Sequence, residues 1–292
     1  MISIIPSELS VSELQGYLQG AVAPRPIALA STVDVLGCPN LSPFSFFNIF
    51  SANPPILVFS PARRVRDHSL KHTLINCEAT NEVVINVVSF DMVQQMSLSS
   101  TEYPSGVNEF LKSGFTPIAS HEVKPFRVLE SPIQLECKVN EIKPLGTLGG
   151  AGHLIICEVV KIHINPSILD AEGSIDPEKI DLVSRLGKNW YSRAKEGLFE
   201  VAKPLVNLGI GVDAIPMAIQ KSTVFCGNDL GKLGNIEILP NSEEINTFVQ
   251  ENLEMQNFLK TSSENAVFEK AKAYLDQNQV LMAWKVLLAY QQ

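Results

Sequence analysis

The sequence predicts a mainly β protein: a closed antiparallel barrel with inserted helices, followed by a helical C-terminal extension. Three observations support this class. Apolar runs of strand length recur through the first two thirds of the chain, short polar turns separate many of them, and helical periodicity dominates the last third. Strands joined by short turns close readily into antiparallel barrels, because closure leaves no unpaired edge. We divide the chain into a barrel domain, residues 1–196, and a mainly helical extension, residues 197–292.

The predicted strands are short segments rich in Val, Ile and Leu, some alternating and some continuously apolar. They span residues 27–33, 56–59, 83–89, 133–142 and 154–164. Four glycines within residues 146–152 predict a hairpin-like loop between the last two strands.

Helical spacing of apolar residues predicts short helices between these strands. They span residues 12–20, 68–77, 91–96 and 108–112. Asp91 is the predicted N-cap of the third helix. In the extension, a loop-rich portion from Pro204 to Pro240 precedes two helical patterns, the first opened by Asn241 and Glu244 at capping-box spacing.

The composition restricts the class of partner and the compartment. A formal net charge of −8 argues against a nucleic-acid surface, which needs clustered Lys and Arg. No apolar segment is long enough to span a bilayer, and the N-terminus lacks the pattern of a signal peptide. Five scattered cysteines without a CxxC motif indicate thiols in a reducing cytosol rather than a disulfide or zinc site. We therefore expect a cytoplasmic protein.

Residues 24–48 form the most informative stretch. A short apolar strand ends in two hydroxyls, Ser31 and Thr32, and a turn leads into Ser45, Phe46, Phe47 and Asn48. Such a cluster can hydrogen-bond the rim of a flat heteroaromatic ligand and cover its faces. The alternative for Phe44, Phe46 and Phe47 is core packing, which we expect for at least one of the three because neighbours on a strand point to opposite faces.

Two further segments carry basic residues and hydroxyls. Residues 60–64 read Ser-Pro-Ala-Arg-Arg, and residues 71–86 read KHTLINCEATNEVVIN. Arg64, Lys71 and Thr73 are candidates for binding a phosphate in an otherwise acidic protein. The alternative is that Arg64 belongs to a solvated basic run.

Two shorter motifs follow along the chain. Gly152 and His153 open the strand at 154–164, and Arg185-Leu186-Gly187 is followed by Trp190 and Tyr191. A loop histidine without a role is the alternative interpretation of His153.

Four motifs stand in this order: residues 24–48, residues 71–86 with the basic segment 60–64 upstream, residues 152–153 and residues 185–191. They resemble the flavin reductase-like family, whose members include flavoredoxins and NAD(P)H:FMN oxidoreductases. The resemblance covers residues ~20–195, with departures at His72 and Val83, where the family pattern has Asp and Phe. It implies an FMN-binding, Greek-key split barrel that works as a homodimer on small-molecule substrates. It also implies hydride transfer from NADH or NADPH to the flavin.

The resemblance, read with the residue chemistry, also assigns roles to particular residues. The predicted FMN contacts are Ser31, Thr32, Ser45, Phe46, Phe47, Asn48, Ser60, Arg64, Lys71, Thr73 and Tyr191. His153 is predicted to position the nicotinamide or the flavin, because hydride transfer needs no obligatory protein acid or base.

Two other functions stay open at this point. One is a bound-FMN electron carrier for a redox protein partner, and the other is a flavin-binding store or sensor without turnover. No nicotinamide motif is readable in the sequence. Residues 209–214 fit G-x-G-x-x-A, but Pro216 falls where the required helix would run, so we expect a turn there. The extension has no predicted function.

Overall fold

Seven strands of the N-terminal part pair into one antiparallel sheet in the computed structural model, which describes residues 1–201 and 208–290. The strands of this part are β1 Ala28–Val33, β2 Pro39–Phe44, β3 Phe47–Ala52, β4 Pro55–Phe59, β5 Glu82–Val87, β6 Pro117–Ile118, β7 Arg127–Val128, β8 Ile133–Pro144, β9 His153–Ile164, β10 Val183–Arg185 and β11 Tyr191–Arg193. The order in the main sheet is β2-β1-β5-β8-β9-β4-β3, and β6–β7 and β10–β11 form two small pairs. The predicted mainly β fold is confirmed.

Two strands of this sheet, β2 and β3, were not among the predicted ones. They are its two outermost strands, and β2 contains Pro39 and Pro43. Proline cannot donate to a strand ladder and is tolerated at a sheet edge. Residues 48–50 of β3 are exposed, so this strand lacks the apolar run that marks a buried one. Edge position therefore explains why neither strand has a clear sequence signal.

Five α-helices lie between or before the strands of this part: α1 Val11–Ala21, α2 His72–Thr80, α3 Val93–Ser99, α4 Glu109–Ser113 and α5 Pro177–Ile180. The prediction that Asp91 caps α3 is wrong, because Asp91 lies inside a 3-10 turn at Phe90–Met92 that precedes the helix. Helix α2 starts later than predicted, because a turn precedes it in which the Arg64 N–H donates to the Ser69 carbonyl at 3.0 Å.

Strand β1 is buried on both faces, which places it between two apolar clusters. Ala28 and Ala30 face a cluster that includes Leu74 of α2. Leu29 faces a second cluster that includes Phe110 of α4. This alternation sends the two hydroxyls at the end of β1 to opposite sides.

The chain divides into two compact units, Met1–Leu198 and Phe199–Gln292. The second contains α6 Met217–Gln220, α7 Gly227–Gly234, α8 Ser242–Gln250, α9 Leu253–Thr261, α10 Glu264–Asp276 and α11 Val280–Tyr290. Its core surrounds Trp284, whose indole N–H donates to the Leu233 carbonyl at 3.1 Å.

Three sequence expectations for the second unit can be compared with its structure. The predicted capping box at Asn241 and Glu244 is present. The prediction of two helical patterns is wrong, because four helices follow Asn241. The apolar stripe hides their breaks, such as the two residues between α8 and α9. The predicted loop-rich portion contains α6 and α7, and its residues 204–207 lie outside the described residues.

The G-x-G-x-x-A segment forms the expected turn. Gly211 has φ +81°, and a 3-10 turn rather than an α-helix follows it at Val212–Ala214. In residues 1–201 and 208–290, no helix is both long and apolar enough to cross a membrane.

Candidate functional site

The segment that follows β4 lies against the glycine-rich loop that precedes β9. The Arg63 N–H donates to the Ala151 carbonyl at 2.9 Å, and the Gly150 N–H donates back to the Arg63 carbonyl at 3.0 Å. The His153 N–H donates to the Pro61 carbonyl at 3.1 Å. These bonds place the basic segment beside the Gly152-His153 motif, although some 90 residues separate them in the chain.

Two glycines allow this close approach. A Cβ on Gly149 would lie 2.8 Å from the carbonyl oxygen of Val65, and a Cβ on Gly152 would lie 2.5 Å from Oγ of Ser60. Real Cβ contacts are longer than either distance. Glycine is therefore required at position 149, where the neighbouring atoms are backbone, whereas at position 152 the Ser60 hydroxyl would have to rotate away.

Three cations converge on one carboxylate at the start of α2. Arg64 Nε and Lys71 Nζ both lie 3.0 Å from Oε1 of Glu102, and Arg66 Nη2 lies 3.1 Å from Oε2. Thr73 lines the same cleft. Lys71 is the N-cap residue of α2, and no side chain caps that end of the helix. Cations, a hydroxyl and a helix N-terminus together favour anion binding.

The charges of this cleft leave it cationic at neutral pH. Burial, with the nearby charges of Arg64 and Lys71, lowers the pKa of His72, so its imidazole is neutral at pH 7. The hydrogen bond from Lys71, partly opposed by burial and aided by Arg64, lowers the pKa of Glu102, so its carboxylate is charged. Arg64 and Lys71 of the lining, with Arg66 beside them, thus face Glu102. A second carboxyl group of the cleft, Glu109, has its pKa raised by burial.

A buried polar network ties β1 and β2 to α2. The Asn40 side-chain amide donates to Thr73 Oγ1 at 2.9 Å and to Thr32 Oγ1 at 3.3 Å. The Asn76 amide donates to Thr32 Oγ1 at 3.0 Å. Ser31 points to the other face of β1, is fully buried, and its hydroxyl has no hydrogen-bond partner among the described residues. The two hydroxyls predicted as a pair are therefore separated by the strand.

His153 lines a second cleft, of about 430 Å³. The lining is Arg63, Glu78, Asn81, Val139, Asn140, Glu141, Ile142, Pro144 and His153. His153 is 3% exposed, and its Nδ1 has no partner in the part of the chain that the structure describes. The same holds for the buried Nε of Arg63. An unpartnered buried polar atom costs about 1–3 kcal/mol, so both atoms suit a ligand that supplies the missing bond.

Ser45, Phe46 and Tyr191 gather around two arginines. Arg25 Nε donates to Ser45 Oγ at 3.4 Å, and its guanidinium lies 5.9 Å from the centre of the Phe46 ring. Arg25 pairs through its backbone with Arg185, whose guanidinium lies 4.6 Å from the centre of the Tyr191 ring. The other Arg25 nitrogens bond backbone carbonyls, so this group also holds the fold together.

The remaining predicted residues lie on β3 and just after β4. Phe47 packs partly buried against the barrel core, and so does Phe44, as expected for at least one aromatic residue. Asn48 is exposed, and its Oδ1 accepts the Ile49 N–H at 2.8 Å. The Ser60 N–H donates to the Phe46 carbonyl at 2.8 Å, which joins this group to the glycine-rich loop.

The structure therefore brings Arg64, Lys71 and Thr73 to one cleft and His153 to another. The cofactor and positioning roles of these residues stay predictions. Residues that the sequence reasoning missed are Asn40, Arg63, Asn76 and Glu102. Asn40, Arg63 and Asn76 lie inside the motifs described above, so their position in those motifs could have identified them. Glu102 lies in a loop that has no recognisable sequence pattern. Within the described residues, no group of three His, Cys, Asp or Glu is placed to hold a metal ion.

Residues 21–177 match the model of the flavin reductase-like domain. The chain belongs to this family. An uncharacterized protein of Aquifex aeolicus is 35% identical over 193 residues, which cover 66% of this chain and 96% of that protein. The remaining third of the chain lies outside this match.

Solved structures agree with the family and with the fold. Component B of nitrilotriacetate monooxygenase from Bacillus cereus superposes with a TM-score of 0.65 at 30% identity, covering 69% of this chain and 98% of that one. A split-barrel protein from Shewanella frigidimarina gives a TM-score of 0.58 at 25% identity, with coverages of 68% and 95%. The first unit is therefore a split barrel of the flavin reductase-like type.

Proposed function

We propose that this protein binds FMN and transfers hydride from NADH or NADPH to the flavin, as an NAD(P)H-dependent flavin oxidoreductase. The observation that carries the proposal is the cationic cleft at the start of α2 in a flavin reductase-like chain. FMN ends in a phosphate with nearly two negative charges, and FAD and riboflavin lack that terminal group. The proposal therefore includes a preference for FMN over both.

The residues around the cleft fit a phosphate. Arg64 and Lys71 would supply charge-assisted hydrogen bonds, Thr73 a hydroxyl, and α2 its N-terminal dipole. The buried amides of Asn40 and Asn76 hold β1, β2 and α2 together, and α2 carries Thr73 with Lys71 at its N-cap. Arg64 lies in the turn before α2, where its own hydrogen bonds to Ser69 and Leu70 hold it in place.

Ser31, Thr32, Ser45 and Asn48, with the backbone amides of Phe46 and Phe47, are the residues predicted for the polar chain and the ring edge of FMN. Ser31 and Thr32 are fully buried, so Ser45, Phe46, Phe47 and Asn48 are the ones that would lie against FMN. FMN supplies the hydride-accepting chemistry when it is bound, and the protein supplies binding and orientation. His153, with its unpartnered Nδ1, would position the nicotinamide without moving a proton itself.

We also propose a homodimer. The outward residues of β9, namely Val160, Ile162 and Ile164, are exposed at 43%, 55% and 41%. Ile49 and Phe50 on the edge strand β3 are exposed at 63% and 68%. Exposed apolar stripes of this kind favour a protein interface, and a second copy is the commonest partner of a soluble chain.

An electron carrier for a protein partner is the second candidate. The likeness to component B of a monooxygenase favours it, because that name describes one part of a system with several proteins. A flavin-binding store or sensor without turnover is the remaining possibility.

An absorbance spectrum of the purified protein with FMN, recorded anaerobically before and after NADH or NADPH, separates the three. Reduction over many turnovers when excess FMN is supplied supports the oxidoreductase. Bound FMN that stays oxidised with either nucleotide but is reduced by a redox protein supports the carrier. Bound FMN that neither route reduces supports the store or sensor, and no FMN binding contradicts all three.

A further inference from the structure

The loop after α3 places an acidic side chain in the cationic cleft. Glu102 lies on this loop, three residues beyond the end of the helix. Its two carboxylate oxygens accept from Arg64, Arg66 and Lys71 at 3.0–3.1 Å. Its side chain is 42% exposed, so it lies at the open side of the cleft.

These contacts use donors that a phosphate would need. Nη1 of Arg64 already donates to Ser69 Oγ at 3.0 Å and to the Leu70 carbonyl at 2.7 Å. Arg64 Nε and Lys71 Nζ then share one oxygen of Glu102. A carboxylate and a phosphate accept hydrogen bonds from the same cations, so the two anions compete for these nitrogens.

The structure around Glu102 allows it to leave. Its neighbours from Thr101 to Gly106 are mostly exposed, and the loop turns at Gly106 with φ +83°. An exposed loop carries few buried contacts, so moving it costs little free energy.

We infer that Glu102 is an internal competitor for the phosphate subsite, displaced when a ligand with a terminal phosphate binds. The inference rests on the proposed function and deepens it. A singly charged group, such as one phosphate of a diester, gains little electrostatic energy when it takes the place of the Glu102 carboxylate beside the three cations. A phosphate monoester carries nearly twice the charge and replaces it with a net gain. Glu102 thus lowers the affinity for any ligand whose phosphate has to displace it, and it leaves the affinity for neutral flavins unchanged.

Titration of the full-length protein with FMN and with riboflavin tests the inference. We expect Glu102→Gln to tighten FMN binding by about tenfold, since it removes one competing charge from a partly exposed cluster. Riboflavin affinity should stay within about twofold, because riboflavin has no phosphate. Glu102→Asp keeps the charge and should stay near the wild type.

Glu122 provides a matched control. Its carboxylate accepts from Lys161 at 3.0 Å and is 50% exposed, so Glu122→Gln removes a similar surface charge outside the cleft. Unchanged or weaker FMN binding by Glu102→Gln would overturn the inference. Weaker binding would mean that Glu102 organises the cations rather than competing with them. Equal tightening in the control would assign the effect to net charge alone and would also overturn it.

Inorganic phosphate is a second probe, and it tests the role of Glu102 even if the proposed binding of FMN is wrong. Equal wild-type affinity for FMN and riboflavin would overturn the phosphate assignment. Inorganic phosphate then still reports on the cleft, through the rise that it causes in the unfolding temperature. A larger rise in Glu102→Gln than in wild type supports competition by Glu102, and an equal or smaller rise refutes it.

Discussion

Replacing Glu136 should destabilise the first unit more than any ordinary surface change. This residue of β8 is fully buried, and its carboxylate accepts the backbone N–H groups of His121, Glu122 and Val123 at 2.9, 2.6 and 3.2 Å. His163 Nε2 lies 2.6 Å from the same carboxylate. One charged group therefore fixes the course of a whole loop.

The expected cost follows from these contacts. Glutamine offers one acceptor oxygen in place of two, so Glu136→Gln removes the charge and turns an NH₂ group toward backbone N–H donors. Breaking a buried charged group away from its partners costs about 3–5 kcal/mol. Because glutamine keeps the shape and one acceptor, we expect the lower end, about 3 kcal/mol in the free energy of unfolding.

The pH dependence gives a second signature. Burial by itself raises the pKa of Glu136, but its backbone N–H donors and His163 outweigh burial and hold it below the ordinary value. A carboxyl group with a lowered folded-state pKa stabilises the fold above its unfolded pKa of about 4.3, and that contribution is lost as pH falls through the folded value. The difference between wild type and Glu136→Gln should therefore be full at pH 7 and shrink below about pH 4.

Thiol labelling in urea measures the unfolding of the first unit alone. Its buried free thiols are Cys77, Cys137 and Cys157. Changing the exposed Cys38 and Cys226 to Ser leaves only these thiols to react when that unit opens. Glu122→Gln is the control, with an expected change below about 1 kcal/mol. A cost of less than about 1 kcal/mol for Glu136→Gln, or an unchanged pH profile, would refute the reasoning.

Three further predictions concern function. Lys71→Met should weaken the binding of FMN by about 1–3 kcal/mol and leave the affinity for riboflavin unchanged, because only FMN offers the phosphate. The control in the same titrations is Lys161→Met, which removes a paired lysine elsewhere. His153→Ala should slow reduction of bound FMN by NAD(P)H about tenfold or more in stopped flow, because the imidazole would position the donor, and should leave FMN affinity nearly unchanged. Identical rates would leave His153 as a buried residue of β9 without a role in reduction, and loss of FMN would place it in the cofactor site. Light scattering of the FMN-bound protein should give a dimer, and a mass near 32.0 kDa would contradict it.

The sequence predicted those parts of the fold that carry a regular apolar signal. The buried strands and most inserted helices were found, because alternation or helical spacing marks them. Strands β2 and β3 were missed because a sheet edge accepts proline and exposed residues. The helices of the second unit were merged because a continuous apolar stripe does not show where the backbone turns.

The candidate site was predictable only as far as its motifs extend. Thr73 and Lys71 lie in one motif, and the structure places both in one cleft. Glu102 reaches Lys71 across 31 residues, from a loop with no periodicity. Arg63 and His153 meet only because the glycine-rich loop packs on the basic segment. Contacts of this kind depend on the path of the backbone, which residue spacing does not encode.

The order of the strands has a consequence for synthesis on the ribosome. The hairpin of β3 and β4 joins the main sheet through β9, where Leu57 pairs with Cys157, 100 residues further along the chain. A nascent chain that ends before His153 holds this hairpin without its partner strand. Long-range pairing of this type is slow and leaves strand edges open to aggregation. We therefore expect chains truncated before β9 to be captured by chaperones, and release to coincide with the emergence of Ile164.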